Sequence, residues 1–530
     1  MNRASLAPLP ARDRFLLGRH PQIAALALGV LSATGFAPLG LWPLALCAMG
    51  GFAALVAQSP DARRAAWLGW LFGWAHFTLG NNWIAAAFTY QAAMPAALGW
   101  LAVPLLSIYL AVYPAIAALG ARALAGRGLS WAFAFALAGC WTISELLRAR
   151  VFTGYAWNPF AMVLLGPFDR PGLAALAPWL GTYALSGAAV LLAAAAALLA
   201  ARARWMALAG LAVLVGAGMF VPAPVPRDSA LAVTIVQGDL TQARLENPVL
   251  WDANFARLSN LSQRFAPGGP RVVMWSESGL VDYLRPGYPQ RFYDQQTAFA
   301  NPELARRRLG RVIGPGSLLM TGAVDLELRA GRLIGAYNAV TAVAEDGSIR
   351  GGYAKSHLVP YGEYLPLRPL LEPLGLSRLV PGSIDFLPGP GPKTLDLGRF
   401  GRAAVQVCYE IVFSGEVVER GTRPDYIFND SNDGWFGTFG PPQHLAQARM
   451  RALEEGLPVL RATTTGISAV IDAHGVVRRF LPQHAIGRID APVPRALAPT
   501  PFAILGNALA LAWAMVFLGM AAVALRRPRG

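Results

Sequence analysis

The sequence predicts an α/β fold joined to a transmembrane α-helical part: eight spanning helices, with a layered α/β domain inserted before the last of them. Three observations predict it. Hydrophobic residues make up 55% of the 530 and charged ones only 14%, far from the balance of a soluble enzyme. The apolar excess lies before about residue 221 and again after about residue 501. Between those points, lipid-length runs give way to short β-rich runs alternating with amphipathic helices.

The opening MNRASLAPLPARDRFLLGRH is polar and basic, and no short apolar region with a small-residue cleavage site follows, so the first span is expected to stay in the protein. A helix needs about 20 apolar residues to cross a bilayer, since every backbone group must be bonded inside the segment. Seven segments meet this, at 22–38, 41–57, 65–83, 98–120, 129–147, 174–200 and 205–221, and an eighth runs from 502 to 525. The expected division is a membrane part at 1–221, an α/β domain at 222–501, and a last span with a basic tail at 502–530.

Arginine placement sets the orientation. Arg3, Arg12, Arg14 and Arg19, then Arg63 and Arg64, Arg122 and Arg127, Arg202 and Arg204, and finally Arg526, Arg527 and Arg529 occupy alternate connections, all on one side. Positive loops stay cytoplasmic, which puts both termini inside and residues 222–501 outside; across a bacterial inner membrane that outside is the periplasm or the cell surface. The net charge of +15 is spread over short loops and chain ends without a dense basic stripe, which argues against nucleic acid as a partner. A transporter fits less well, because ionisable residues within the spans are few, Glu145 being the main one, and no repeat relates the halves. Glu145, Arg148 and Trp157 near the outer end of the fifth span read as structural.

In the middle domain ALAVTIVQGDL, RVVMWSESGL, SLLMTGAVDL and GRAAVQVCYE read as strands. AYNAVTAVAEDGSIRGGYAKSHLVP reads as two strands about an Asp-Gly turn, and SAVIDAHGVVRRFLP repeats the design. Helical periodicity marks VLWDANFARLSNLSQRF, NPELARRRLGRVIG and HLAQARMRALEEGLPVL. Glu277, Lys355 and Cys408 each stand at a strand end, where α/β domains gather functional groups. The other cysteines, Cys47 and Cys140, lie in hydrophobic segments, so Cys408 is an unpaired thiol in an oxidising compartment, which points to a reactive role. A thiolate needs a base to take its proton and a nearby cation. Glu277 supplies the first and Lys355 the second, in a constellation expected on adjacent strands of one sheet and suited to acyl transfer through a thioester.

WSES around Glu277, YAKSHLVPYGEYLP around Lys355 and VCYEIVF around Cys408 resemble the three signature regions of the nitrilase superfamily. FNDSNDGWFGTFGPPQHLAQARMRALEEGLPVLRATTTGISAVID resembles its membrane-embedded branch, the bacterial apolipoprotein N-acyltransferases. The resemblance implies an extracytoplasmic αββα sandwich with Glu277 as general base, Lys355 stabilising the oxyanion and Cys408 as the acylated nucleophile. It also implies supporting roles for Glu363, Tyr409 and Glu410. Where the family usually has Pro-Glu-x-Ala-Ile-Pro, this chain has Ser276-Glu277-Ser278-Gly279-Leu280-Val281, and Thr464-Thr465 stands where Asn-Asn is common.

The implied reaction is ping-pong: an acyl chain passes from the sn-1 position of a phospholipid, phosphatidylethanolamine, to the Cys408 thioester, and then to the α-amino group of a lipoprotein's diacylglyceryl-cysteine. No cofactor or metal is called for, and a monomer suffices. Trp251, Trp435, Leu370 and Leu374 are the candidate substrate-binding residues. The two leucines belong to YLPLRPLLEPLGLSRLVPG, too broken for a regular helix and too apolar for a solvated loop, which reads as an arm resting on the membrane. DYLRPGYPQRFYDQQ is a second such arm. A membrane-tethered amidase or lipid hydrolase shares every triad residue, whereas a non-catalytic transporter or scaffold leaves the triad without purpose.

Overall fold

The computed structural model describes residues 19–90, 97–264, 268–374 and 385–526. Helices occupy all eight segments expected to be apolar spans. They are α1 (Pro21–Ala33), α2 (Trp42–Ala57), α3 (Ala62–Gly80), the single turn α4 (Ile84–Ala87), α5 (Ala97–Leu110), α6 (Val112–Ala125), α7 (Trp131–Arg148), α8 (Ala177–Ala201) and α9 (Trp205–Met219), followed at the far end by Asn507–Arg526. Among the described residues three stretches are long and apolar enough to cross a membrane: Ala97–Ala125, Leu173–Ala201 and Asn507–Arg526. Arg3, Arg12, Arg14, Arg527 and Arg529 lie outside the described residues.

Local sequence explains the helix starts. Asp61 accepts from the amide of Arg64 at 2.8 Å and Ser130 from that of Phe133 at 3.2 Å, satisfying donors that a helix leaves open at its N-terminus. Inside the bundle small residues allow close approach: a Cβ on Gly69 would come within 2.7 Å of the Pro114 carbonyl oxygen on α6. Glu145, Arg148 and Trp157 are buried and bonded internally. Glu145 accepts from Trp141 Nε1 at 3.0 Å and from the Phe160 amide at 2.8 Å, and Arg148 donates to the Trp157 carbonyl at 2.8 Å.

The middle part is a sandwich of two six-stranded sheets. One runs β12-β1-β2-β3-β4-β5, built from Asp228–Gln237 (β1), Arg271–Met274 (β2), Ser317–Arg329 (β3), Arg332–Ala344 (β4), Ile349–Ala354 (β5) and, at its edge, Gly487–Pro494 (β12). The other runs β11-β10-β9-β8-β7-β6, from Thr394–Asp396 (β6), Arg402–Val407 (β7), Tyr426–Ser431 (β8), Val459–Thr463 (β9), Ser468–Ile471 (β10) and Val477–Leu481 (β11). The period-2 alternation of strand side chains decides what each face meets. Val233, Ile235, Val272, Met274, Leu318 and Met320 enclose a core with Val405, Val407, Phe428 and Leu460 of the second sheet. Val236, Val273 and Leu319 face the other way, onto Leu258, Leu309 and Ile313 of the helices Trp251–Ser262 and Pro302–Ile313. The helix Gly440–Glu455 covers the outside of the second sheet, which completes the expected αββα layering.

That last helix is buried on both sides, because its other face meets the helical bundle. Gln443 accepts from Trp157 Nε1 at 2.8 Å and Asn158 Nδ2 at 2.9 Å. Arg449 donates to the carbonyls of Gly166, Pro167 and Arg170. Glu454 accepts from the amide and hydroxyl of Thr182 at 2.6 and 2.7 Å and from the Ser414 hydroxyl at 2.7 Å. Gly181, at φ +69°, breaks the α8 backbone at that point and leaves the Thr182 amide free to turn outward.

Candidate active site

The sheet order corrects one expectation. Glu277 follows β2 and Lys355 follows β5, strands of one sheet separated by β3 and β4, while Cys408 follows β7 in the facing sheet. The three groups therefore meet across the sandwich and not along neighbouring strands. Strand order is a property of long-range pairing, which local alternation does not encode.

Lys355 is buried with its ammonium 2.9 Å from Glu363 Oε2 and 3.8 Å from Glu277 Oε1. Asn338, in the middle of β4, binds both acids at once, donating from Nδ2 to Glu277 Oε1 at 2.6 Å and to Glu363 Oε1 at 2.9 Å. The amide of Asn432 donates to Glu277 Oε2 at 2.6 Å, and that of Val359 to Glu363 Oε2 at 2.8 Å. Burial works against the Lys355 ammonium, but the carboxylates of Glu363 and Glu277 outweigh it and hold its pKa above the ordinary lysine value. Burial raises Glu277, with Lys355 opposing and Glu363 assisting.

Cys408 has φ +51°, the left-handed region that a non-glycine residue adopts only when its surroundings enforce it. The turn from β7 into Cys408–Val412 projects the thiol from the strand end, within electrostatic reach of Glu277 and Lys355. Burial, and then the Glu277 charge, push the thiol well above its usual range, so the resting sulfur carries its proton.

Glu410 grips this turn. Its Oε2 accepts from the Val407 amide at 2.8 Å, while Oε1 takes Tyr353 Oη at 2.7 Å, the Ser356 amide at 2.7 Å, Ser356 Oγ at 2.9 Å and the His357 amide at 3.0 Å. The residues flanking Lys355 are thus tied to those flanking Cys408. Tyr409 is buried, packed edge-to-face on Phe413 at 5.1 Å, with its hydroxyl 3.5 Å from the Gly154 carbonyl of the loop after α7.

A second set of groups supports the elbow from behind. His444 Nε2 donates to the Cys408 carbonyl at 3.0 Å, which leaves Nδ1 as the acceptor for Arg461 Nη2, also at 3.0 Å. Arg461 in turn bonds Asp433 Oδ2 at 2.7 Å. Burial and then the Arg461 charge lower His444, in keeping with a neutral ring. Asn338, Asn432, His444 and Arg461 were not singled out from sequence. The signal was there in two of them, a polar residue inside the apolar run AYNAVTAVA and an arginine inside VLRAT.

Trp251 donates from Nε1 to the Leu245 carbonyl at 3.0 Å and lines a cleft with Ser278 and Asp282. Trp435 is half-buried and meets Tyr90 edge-to-face at 5.7 Å. Leu370 lies in the single turn Arg368–Leu371 and is 64% exposed. Leu374 ends the turn Glu372–Leu374, and its side chain, like residues 375–384 of the same arm, lies outside the described residues.

A buried thiol within electrostatic reach of a carboxylate and an ammonium is an arrangement suited to nucleophilic acyl transfer. Residues 28–195 match the model of the apolipoprotein N-acyltransferase N-terminal domain, and residues 233–499 that of the carbon-nitrogen hydrolases. Across 96% of both chains the sequence is 35% identical to an apolipoprotein N-acyltransferase of Rhodopseudomonas palustris. The chain belongs to the apolipoprotein N-acyltransferase family. A second relative of that name, from Bradyrhizobium diazoefficiens, is 34% identical, again over 96% of each chain. Among solved structures the enzyme is similar to a nitrilase-superfamily amidase of Nesterenkonia AN1, at 19% identity and TM-score 0.33, covering 55% of this chain and 96% of that one. It is an acyltransferase of lipoprotein maturation, built on a nitrilase-like αββα fold with helices able to span a membrane.

Proposed function

We propose that the enzyme carries the acyl chain as a thioester on Cys408. Glu277 takes the thiol proton, and the sulfur attacks the sn-1 ester carbonyl of a phospholipid, phosphatidylethanolamine, with Lys355 and the backbone N–H of Tyr409 receiving the oxyanion. The tetrahedral adduct collapses, the lysophospholipid leaves with the proton returned by Glu277, and the thioester remains. The free α-amino group of a diacylglyceryl-cysteine then attacks that carbonyl. Glu277 accepts the amine's proton as the amide forms, and the thiol is regenerated. The observation carrying this reading is the buried Lys355 ammonium shared between Glu277 and Glu363 and felt by the Cys408 sulfur. Glu363 orients the ammonium, while Glu410 and Tyr409 act as positioning residues for the nucleophile turn.

In this reading residues 1–221 form a seven-span membrane part, 222–501 the periplasmic catalytic domain and 502–530 the eighth span with its cytoplasmic tail. The site opens towards lipid beneath the arm that carries Leu370 and Leu374, with Trp251 and Trp435 at the substrate approaches, and a monomer is the working unit. Mass spectrometry tests the route. Purified enzyme incubated with phosphatidylethanolamine is expected to gain an acyl mass on Cys408 that persists until an acceptor lipopeptide is added. An adduct that decays as fast without acceptor would favour hydrolysis, and an adduct retained by Cys408→Ala would exclude this nucleophile.

A further inference from the structure

Glu277, Glu363 and Lys355 supply the acids and the cation that the reaction uses, yet another ionisable group occupies the same enclosed space. Asp430, next to last in β8, is wholly buried. It pairs in register with Val407 on β7, the residue before the nucleophile, and with Ala462 on β9. Its carboxyl points across the sandwich. A Cβ placed on Gly322 of β3 would lie 2.9 Å from Asp430 Oδ2 and 2.7 Å from Glu277 Cα, so the missing side chain at Gly322 is the gap through which Asp430 reaches the Glu277 segment.

The hydrogen bonds are unevenly shared among these acids. Glu277 receives Asn338 and the Asn432 amide, and Glu363 receives Asn338, the Val359 amide and Lys355. Neither Asp430 oxygen has a side-chain partner among the described residues; the backbone of Glu277 is the polar group that comes near. The charged groups facing it are Glu277 and Lys355 from the opposite sheet. On its own sheet, β7 carries its one charged side chain, Arg402, at its exposed far end beside Asp425, and Arg461 of β9 is turned to Asp433. One ammonium already serves two carboxylates, and a third buried negative charge without a side-chain donor is an arrangement a protein interior tolerates poorly. A proton on one carboxyl relieves it, and the carboxyl with fewest donors is Asp430. Burial, and then the Glu277 charge, favour the same state.

We propose that Asp430 is a neutral carboxylic acid held behind Glu277, a positioning residue that keeps negative charge on the base alone and sets the alkaline limit of Cys408 acylation. While Asp430 keeps its proton, Lys355 balances Glu363 and leaves one net negative charge at Glu277. When Asp430 ionises, its charge adds to that of Glu277, opposes formation of the thiolate and of the oxyanion, and slows acylation. The inference rests on Glu277 being the base.

The test is the pH profile of acyl-adduct formation from phosphatidylethanolamine, read by mass spectrometry on the full-length enzyme, with Glu277→Gln as a parallel control. Wild-type acylation is expected to fall about tenfold per pH unit on the alkaline side, and Asp430→Asn, which cannot ionise, to hold its neutral-pH rate through that range. Asp430→Val removes the same ionisation, so whichever variant folds serves the comparison. The infrared difference spectrum of wild type minus Asp430→Asn at neutral pH is expected to carry the C=O stretch of a protonated carboxyl. An unchanged alkaline limb, or carboxylate bands in place of that stretch, overturns the role of Asp430. Undiminished acylation by Glu277→Gln overturns the assignment of the base itself.

Discussion

The imidazole of His444 donates from Nε2 to the carbonyl oxygen of Cys408 at 3.0 Å, so the residue bearing the thiol is held through its own backbone. That grip counters the cost of a left-handed conformation at a non-glycine residue. His444→Phe is expected to lower the rate of Cys408 acylation about 100-fold, the scale on which small displacements act in positioned reactions. His444→Gln keeps an N–H donor and should recover part of the loss. Single-turnover acylation measures both, and an equal loss in the two variants would count against the carbonyl contact.

Arg461 and Asp433 are both enclosed, 2.7 Å apart. Asp433→Asn leaves the guanidinium uncompensated and should cost about 3–5 kcal/mol of stability, seen as a lowered thermal transition in detergent. Burial opposes the Asp433 charge, but the Arg461 guanidinium outweighs it and holds the carboxyl below the ordinary range. Its stabilising contribution is therefore complete above the unfolded carboxylate value of about 3.9 and is lost as pH falls through the lower folded value. The variant should accordingly lose less stability on acidification than the wild type.

Glu363 lies close enough to Glu277 to raise that acid's proton affinity, on top of the larger effect of burial. A base works only when deprotonated, so the acid limb of acylation should sit above the ordinary glutamate value of about 4.3. Glu363→Gln removes the like charge and should move that limb to lower pH, while weakening the hold on Lys355 and lowering the plateau. A limb that shifts upward in the rate profile would contradict this electrostatic account.

At Gly322 the added methyl of Gly322→Ala would meet Glu277 Cα at 2.7 Å, a backbone contact that cannot swing aside. Overpacking of this kind costs about 1–3 kcal/mol. Because what must move is the segment carrying the base, acylation should suffer more than the melting temperature does, and the two measurements together test it.

Much of the fold could be read locally. Asn301 followed by Pro302 and Glu303 announces a helix start, and Asn301 Oδ1 does accept from the amides of Glu303 and Leu304 at 2.9 and 3.1 Å. The strand ends bearing Glu277, Lys355 and Cys408 were legible for the same reason, since each closes a short β-rich run. Their distribution over two sheets was not, because pairing order arises between segments distant in sequence. β12 was missed as well: Pro492 and Pro494 argue against a strand, but they sit on a sheet edge, where an absent N–H is tolerated. The helical periodicity of HLAQARMRALEEG was legible, but the burial of its polar side chains was not: Gln443, Arg449, Arg451 and Glu454 are all buried. Their partners lie in loops and helix breaks of the bundle, which no periodicity within the helix itself can reveal.

The contact between α8 and Glu454 bears on how freely the two halves can be exchanged. Thr182, Ser414 and Arg451 converge on this one side chain, with Arg451 Nε 3.1 Å from Glu454 Oε2. A catalytic domain released from its bundle would expose an acid and an arginine that had both lost Thr182, with only Ser414 and each other left as partners. Grafting the domain onto a simple anchor would thus demand coordinated replacement of Arg451 and Glu454. The bundle in this respect completes the buried polar pairing of the sandwich, which a plain membrane tether would leave unfinished.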